Sequence, residues 1–240
     1  MQLTIFNGSP RLKKSNSKIL IEHFLKGYQK RSNEKPIVAY LANLKGLKQH
    51  VELFKNSEIV LIIFPLYTDC MPGVVKEFFE KIYESRDYSA KKIGFIVQSG
   101  FPETIHSVWV EKYLQKLVKR LNCVYLGTVI KGGIEGIQIM PPFLTKKLYL
   151  NFELLGEHFA GNQEFHPKIR TKFSRPYKLS STRILFFKIF QSFGFVNFYW
   201  NQNLKKHNAY NKRFDKPYEI SQIKALASSV RDSFFAVHKR

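Results

Sequence analysis

The sequence predicts a doubly wound α/β fold: a five-stranded parallel sheet with helices on both faces, followed by a helical extension. Five short apolar runs alternate with stretches of amphipathic helical spacing. The third run, EIVLIIFPLY (Glu58–Tyr67), is apolar without alternation, which is typical of a strand buried on both faces of a parallel sheet. Beyond Pro141 the strand signal ends, and aromatic helical segments alternate with basic loops.

Each predicted strand is a short apolar run bounded by turn residues or charge. The first run stops at Asn7-Gly8, a turn signal. The parallel strands are expected to be joined by right-handed crossovers. In doubly wound sheets of this kind, ligands bind beyond the carboxyl ends of the strands, where the winding reverses, and we expect a ligand site there. The predicted strands cover residues 2–7, 36–41, 58–67, 92–99 and 124–130.

The segments between the strands have the three-and-four spacing of amphipathic helices. In the first, Ile19, Leu20, Phe24 and Tyr28 fall on one face. The third predicted helix starts near Pro72, a residue tolerated in a first helical turn. The predicted helices cover residues 17–28, 44–56, 72–82 and 104–122.

We predict two regions, with residues 1–140 forming the sheet domain and residues 141–240 a basic, aromatic-rich helical extension packed on the same unit.

The composition limits which partners, chemistry and location the protein can have. The formal net charge of +21 favours anionic partners in general. Two cysteines are too few for a disulfide framework or a metal cluster, and no catalytic acid–base pair or metal site is expected. MQLTIF does not resemble a secretory signal, and no uncharged run reaches about 18 residues, so we expect a cytoplasmic protein.

The loop after the first predicted strand combines small hydroxyls with positive charge just before a helix. A helix start offers unpaired N–H groups and a partial positive charge, which suits a phosphate. The alternative is an ordinary N-cap formed by Ser15 or Asn16. A cap accounts for one polar residue of this cluster, and we therefore predict that a phosphate is bound by Ser9, Arg11, Ser15, Asn16 and Ser17.

The loops after the third and fourth strands have the composition of a site for a flat aromatic ligand. In PLYTDCMPG (Pro65–Gly73), Tyr67 and Met71 could flank such a ligand, or could instead cap the core. SGFPE (Ser99–Glu103) has a glycine and an aromatic residue after strand four, although a turn before an N-cap would give the same letters.

GSPR…SNS, PLYxDxMPGxxKxFxEK and SGFPE, in this order, resemble the flavodoxin-like NAD(P)H-dependent FMN reductases over roughly residues 1–140. The resemblance implies a flavodoxin-like sheet of order 2-1-3-4-5, bound FMN, NADH or NADPH as co-substrate, and a homodimer. It places the FMN phosphate in the first loop. The ring would lie along Pro65, Leu66, Tyr67, Thr68 and Met71, with its pyrimidine side near Ser99, Gly100 and Phe101. The isolated cysteines depart from the iron–sulfur subgroup of this family.

Two residues near these motifs are expected to have structural rather than chemical roles. Cys70 is interpreted as a small buried hydrophobe and His106 as a solvent-facing helix residue. KGGIEGI (Lys131–Ile137) also resembles a recurring feature of the family, without an assigned role.

The resemblance implies an FMN-dependent oxidoreductase that passes hydride from NAD(P)H to a small-molecule acceptor: a quinone, a nitro or azo compound, or a flavin. The alternative is a non-catalytic electron carrier or sensor that docks an acidic partner or a membrane through its basic extension. Three interpretations of the aromatic segment Thr182–Trp200 stay open: packing on the core or across a dimer, contact with an anionic membrane surface, or stacking on single-stranded nucleic acid. The last has no known binding motif to support it.

Overall fold

A single parallel sheet of five strands in the order β2-β1-β3-β4-β5 organises the computed structural model. The structure describes residues 2–43, 46–84, 88–192 and 197–216. Parts of the second predicted helix (44–45), of the aromatic segment (193–196) and of the extension (217–240) therefore lie outside the described residues. The strands are β1 Leu3–Asn7, β2 Ile37–Tyr40, β3 Ile59–Pro65, β4 Lys92–Gln98 and β5 Val124–Lys131.

The helices fall within a few residues of their predicted positions. The fourth differs most: its first turn is a 3-10 segment, Ile105–Ser107, and the α-helix follows it. The described helices are α1 Asn16–Tyr28, α2 Leu47–Asn56, α3 Gly73–Tyr83, α4 Val108–Arg120, α5 Pro142–Asn162, α6 Pro167–Phe173, α7 Ser181–Ser192 and α8 Phe198–Lys206.

Two hydrophobic layers cover the sheet. One layer packs α2, α3 and α4 against one face, and the other packs α1, α5 and α6 against the opposite face. All seven residues of β3 are buried, as its uninterrupted apolar run predicts. The fold class predicted from the sequence is confirmed: a flavodoxin-like sheet with helical residues beyond it.

The chain divides into two compact units, residues 1–180 and 181–240. This division does not coincide with the one predicted at residue 140, because α5 is one of the helices that cover the sheet. In the second unit, Lys205 and Arg213 lie over the ring of Tyr210, at 5.1 Å and 4.0 Å from its centroid. Among the described helices, none has the length and apolar character needed to cross a membrane.

Two glycines bring the backbones of α1 and α5 into direct contact. A Cβ atom at Gly27 would lie 1.7 Å from the carbonyl oxygen of Glu153, and one at Gly156 would lie 1.9 Å from that of Phe24. Polar groups extend the contact, since His23 Nδ1 lies 3.0 Å from Glu153 Oε1. The His23 ring also stacks on Tyr149, with centroids 4.0 Å apart. A larger side chain at either glycine therefore has no space without separating the helices.

Gly156→Ala tests this contact. We expect a loss of roughly 1–3 kcal/mol in the free energy of unfolding, because the added methyl group overpacks the interface. Gly161→Ala is the matched control on the same helix: its Cβ meets nothing closer than 3.6 Å, so it should be neutral or slightly stabilising. Urea unfolding of both variants measures the difference, and equal stabilities would contradict the close helix contact.

Candidate functional site

Three loops converge on a shallow cleft of about 70 Å³ beyond the carboxyl ends of β1, β3 and β4. This is where ligands bind in doubly wound sheets. Eight of the residues predicted from the sequence lie around it, together with two that were not predicted, Gln98 and Glu135. The lining consists of Ser9, Arg11, Asn16, Pro65, Leu66, Tyr67, Gln98, Ser99, Gly100 and Glu135.

Asn7 holds the first loop in place from the end of β1. Its side chain is fully buried, with Oδ1 accepting from the Ser9 N–H at 2.9 Å and Nδ2 donating to Ser15 Oγ at 3.1 Å. Gly8 has a packing role, because a Cβ there would come within 2.4 Å of Val75 on α3. The two ends of the loop are therefore fixed to the sheet before any ligand arrives.

The serines of this loop differ in what they can offer a ligand. Ser15 is the N-cap of α1: its Oγ accepts from the Lys18 N–H and donates its hydrogen to Leu12 O at 2.6 Å. Because this hydrogen is already donated to Leu12 O, Ser15 has none to offer a phosphate. Ser15 is therefore the ordinary N-cap that was given as the alternative to phosphate binding. Ser9 Oγ accepts from the Arg11 N–H at 3.3 Å and keeps its own hydrogen.

Ser17 has a buried hydroxyl with no hydrogen-bond partner among the described residues. It lies in the first turn of α1, where backbone N–H groups also lack helical partners. A buried polar group without a partner is costly, and such groups are rare in folded proteins. An anionic oxygen at this helix start would give the hydroxyl an acceptor. Ser17 is fully buried and is not among the residues that line the cleft, so a phosphate would contact this hydroxyl only at the start of α1.

Arg11 is largely exposed, and its Nη1 lies 4.0 Å from Glu135 Oε1. An exposed ion pair at this distance contributes little to stability. The guanidinium is therefore free to turn toward an anion in the cleft.

The second loop contains a tight two-residue turn. Tyr67 and Cys70 exchange backbone hydrogen bonds of 2.9 Å and 3.0 Å, while Thr68 and Asp69 have φ values of 48° and 60°. Positive φ at both central residues matches the type I′ hairpin turn. Tyr67 is 42% exposed at the cleft, whereas Met71 is buried in the core. Of the two residues predicted to flank a ring, Tyr67 lines the cleft and Met71 does not.

Cys70 is exposed, so the expectation of a small buried hydrophobe was wrong. The turn explains this, because Cys70 is held beside Tyr67 by backbone bonds rather than by packing of its side chain. Cys123 is half-buried, and burial raises the pKa of its thiol to about 11.

The third loop lies beside the end of β5. The Ser99 N–H donates to Lys131 O at 3.0 Å, and Ser99 Oγ donates to Phe101 O at 3.2 Å. Phe101 is 56% exposed and contacts the ring of His106, with centroids 4.6 Å apart. His106 Nε2 also lies 3.7 Å from a Glu103 carboxylate oxygen, so this histidine is partly covered rather than simply solvent-facing.

The KGGIEGI segment closes the cleft, a role that the sequence did not indicate. Asn16 Nδ2 donates to Ile134 O at 3.0 Å, and Gln138 Nε2 donates to Asn16 Oδ1 at 2.8 Å. On the other side, the Gly133 N–H donates to Phe101 O at 2.8 Å. This segment therefore links the first loop to the third. Its glycines gave a turn signal, but its long-range bonds leave no local pattern.

The remaining predicted residue, Thr68, is exposed in the turn beside Tyr67. No group of three or more metal-ligating side chains occurs in the described part of the chain. The first loop fits a phosphate through the orphaned Ser17 hydroxyl, the Ser9 hydroxyl and the movable Arg11. Tyr67, Pro65 and Leu66 form an apolar rim next to it.

Comparison with protein-family models and with curated proteins gives no match. Solved structures do match. An NADH:FMN oxidoreductase (EMOB) is 18% identical with a TM-score of 0.52, over 70% of this chain and 93% of that one. An FMN-dependent NADH-azoreductase from Bacillus anthracis is 16% identical with a TM-score of 0.52, over 67% of this chain and 100% of that one. An NAD(P)H:quinone oxidoreductase from Methanothermobacter marburgensis is 15% identical with a TM-score of 0.53, over 69% and 97%.

At these identities the similarity shows the fold, and the predicted resemblance is confirmed at that level. The three proteins are covered almost completely, whereas this chain is covered to at most 70% by them. This chain thus has segments without a counterpart in those structures.

The exposure of the two thiols predicts different reactivities. Because only the thiolate reacts, a pKa near 11 should make Cys123 roughly 100-fold slower than an ordinary thiol near pH 7.5. A chromogenic disulfide reagent should therefore label Cys70 in a fast phase. Cys70→Ala should remove that phase and Cys123→Ala should leave it. A fast phase that survives in Cys70→Ala would contradict the assignment.

Proposed function

We propose that this protein binds FMN in the cleft and is an NAD(P)H-dependent oxidoreductase. The observation that carries the proposal is the meeting of three loops, with hydroxyl, cationic and aromatic groups, at the carboxyl edge of the sheet. The solved structures of the same fold named above support it, since their names describe FMN and NAD(P)H oxidoreductases.

Each loop has a distinct task in this proposal. Ser9, Arg11 and Ser17 hold the phosphate with hydroxyl hydrogens and charge, together with the free N–H groups of the α1 start. Asn16 has one amide hydrogen left for the same purpose, because Ile134 O accepts the other. Ser15 supports the phosphate loop as the helix cap rather than as a donor.

The ring system lies against the second and third loops. Tyr67 offers an exposed aromatic face, while Pro65 and Leu66 exclude water from the same side. The Gly100 N–H and the exposed Phe101 lie at the pyrimidine edge. Thr68 shapes the turn that presents Tyr67, and Met71 supports it from the core.

Bound FMN supplies the transfer of hydride from a nicotinamide to an acceptor. The residues of this chain orient the ring and leave its outer face open to both substrates. The proposed acceptor is a quinone, a nitro or azo compound, or a free flavin. Homodimer assembly and a cytoplasmic location, both expected from the sequence, belong to the same proposal.

A carrier or sensor is the second candidate. It is favoured by the net charge of +21 and by exposed aromatic side chains in the second unit, such as Phe186 and Trp200. Such a surface suits an acidic partner.

The visible spectrum of the purified protein, before and after anaerobic NADH and then NADPH, tests the proposal. We expect flavin absorbance that bleaches within seconds with one of the two nucleotides. Bound flavin that neither nucleotide bleaches would favour the carrier. The proposal fails if the protein holds no flavin even after incubation with FMN.

Ser17→Ala and Ser15→Ala should affect the free energy of unfolding differently. Ser17→Ala removes a hydroxyl that lacks a partner, so the unfolding free energy of the flavin-free protein should hold or rise by up to about 1 kcal/mol. Its Kd for FMN should rise about tenfold through loss of a charged hydrogen bond, and Arg11→Gln should add to that rise. Ser15→Ala removes the N-cap and should cost about 1 kcal/mol of stability.

Fluorescence titration with FMN and urea unfolding measure both properties for each variant. Unchanged FMN affinity in the Arg11→Gln, Ser17→Ala double variant would refute the phosphate assignment.

A further inference from the structure

A second cavity, of about 350 Å³, lies between α5, α6 and the end of β5. Its size is within the range of about 300–1,000 Å³ typical of ligand pockets. It shares no lining residue with the cleft described above. The cavity is therefore a separate site, although Lys131 in its wall is in register with Gln98 in the cleft.

Four cations line this cavity, and its lining includes no carboxylate. They come from three elements: Lys131 from β5, Lys147 from α5, and Lys172 and Arg175 from α6 and the residues after it. Within the described parts of the chain, no ion pair involves any of the four. The ion pair between Arg31 and Glu157 lies on the neighbouring α5 surface and includes none of the four. Four unpaired positive charges around one cavity repel one another unless an anion is present.

Lys131 is the most covered of the four. It is the last residue of β5 and is half-buried, and this burial lowers the pKa of its ammonium group. Burying a cation without a partner is costly, and a bound anion would remove that cost. The other three cations are exposed, which suits groups that meet a ligand arriving from solvent.

We propose that this cavity binds a small molecule that carries phosphate groups. The Arg175 guanidinium can hold two phosphate oxygens at once, and the lysines add point charges around it. The buried Phe173 and the half-buried Leu148 form an apolar wall that can accept the organic part of such a ligand. The Asn151 amide supplies a neutral hydrogen-bonding group beside that wall. The proposal does not depend on FMN binding.

Titration calorimetry of the full chain with inorganic pyrophosphate, at about 0.15 M salt to screen diffuse charge, tests the proposal. The Lys147→Gln, Lys172→Gln double variant should bind about tenfold more weakly, because two charges next to the anion are lost. The matched control is the Lys146→Gln, Lys168→Gln double variant. It removes the same charge from the same two helices at exposed positions outside the cavity lining, and its affinity should stay within about twofold of the unmodified protein.

Arg11→Gln provides the third arm, since pyrophosphate could instead occupy the cleft. The cavity is supported if Arg11→Gln and the control keep their affinity while the Lys147→Gln, Lys172→Gln variant loses it. Equal weakening in both double variants would mean that general surface charge is responsible, and the proposal would fail. It would also fail if only Arg11→Gln weakens binding, or if pyrophosphate does not bind. Tighter binding of ADP than of pyrophosphate would identify the ligand as a phosphate ester.

Discussion

The direct backbone contact between α1 and α5 sets the geometry of both sites in this protein. The first turn of α1 carries Ser17 and Asn16, and the segment leading into α5 carries Ile134 and Gln138, which bond to Asn16. The two walls of the cleft are therefore joined to two helices that cannot move apart without losing the contact at Gly27 and Gly156. On its other side, α5 supplies the wall of the basic cavity. One helix crossing thus positions two places where anions are expected.

The two sites would hold an anion by different physical means. In the cleft, Arg11 lies near Glu135, so charge is nearly balanced, and recognition depends on hydroxyl hydrogens and the start of a helix. The cavity has four cations and no carboxylate in its lining, and recognition there would depend on Coulomb attraction. Salt screens exposed charges far more than buried hydrogen bonds. Ionic strength therefore distinguishes the two modes of binding within one chain.

The sheet was predictable because burial on both faces leaves uninterrupted apolar runs, and the β3 sequence shows one directly. The polar loop after β1 was visible in the sequence because its hydroxyl, amide and basic residues are adjacent there. The particular roles were not: Ser15 and Ser17 look alike in the sequence, yet one caps α1 and the other has no partner. Gln98 is in register with Lys131 at the end of β5, and Glu135 follows in the segment after that strand, so these two residues, distant in sequence, meet at the cleft. Cys70 is exposed although it was expected to be buried, because the turn that contains it was not recognised. Met71 lies in the core, which was the alternative to its predicted place beside a ring.

In that turn, a strained backbone conformation accompanies the placement of the Tyr67 side chain. Thr68 is β-branched and adopts φ of 48°, a conformation that costs about 1–2 kcal/mol for a residue other than glycine. Two backbone hydrogen bonds between Tyr67 and Cys70 hold the turn closed and offset part of that cost. Their effect is to keep Tyr67 exposed at the cleft while Met71, four residues further on, enters the core. A glycine in place of Thr68 would relieve the strain but would also loosen the only turn that holds Tyr67 at the cleft in the described part of this loop. The position of Tyr67 at the cleft therefore comes with a local cost in backbone strain.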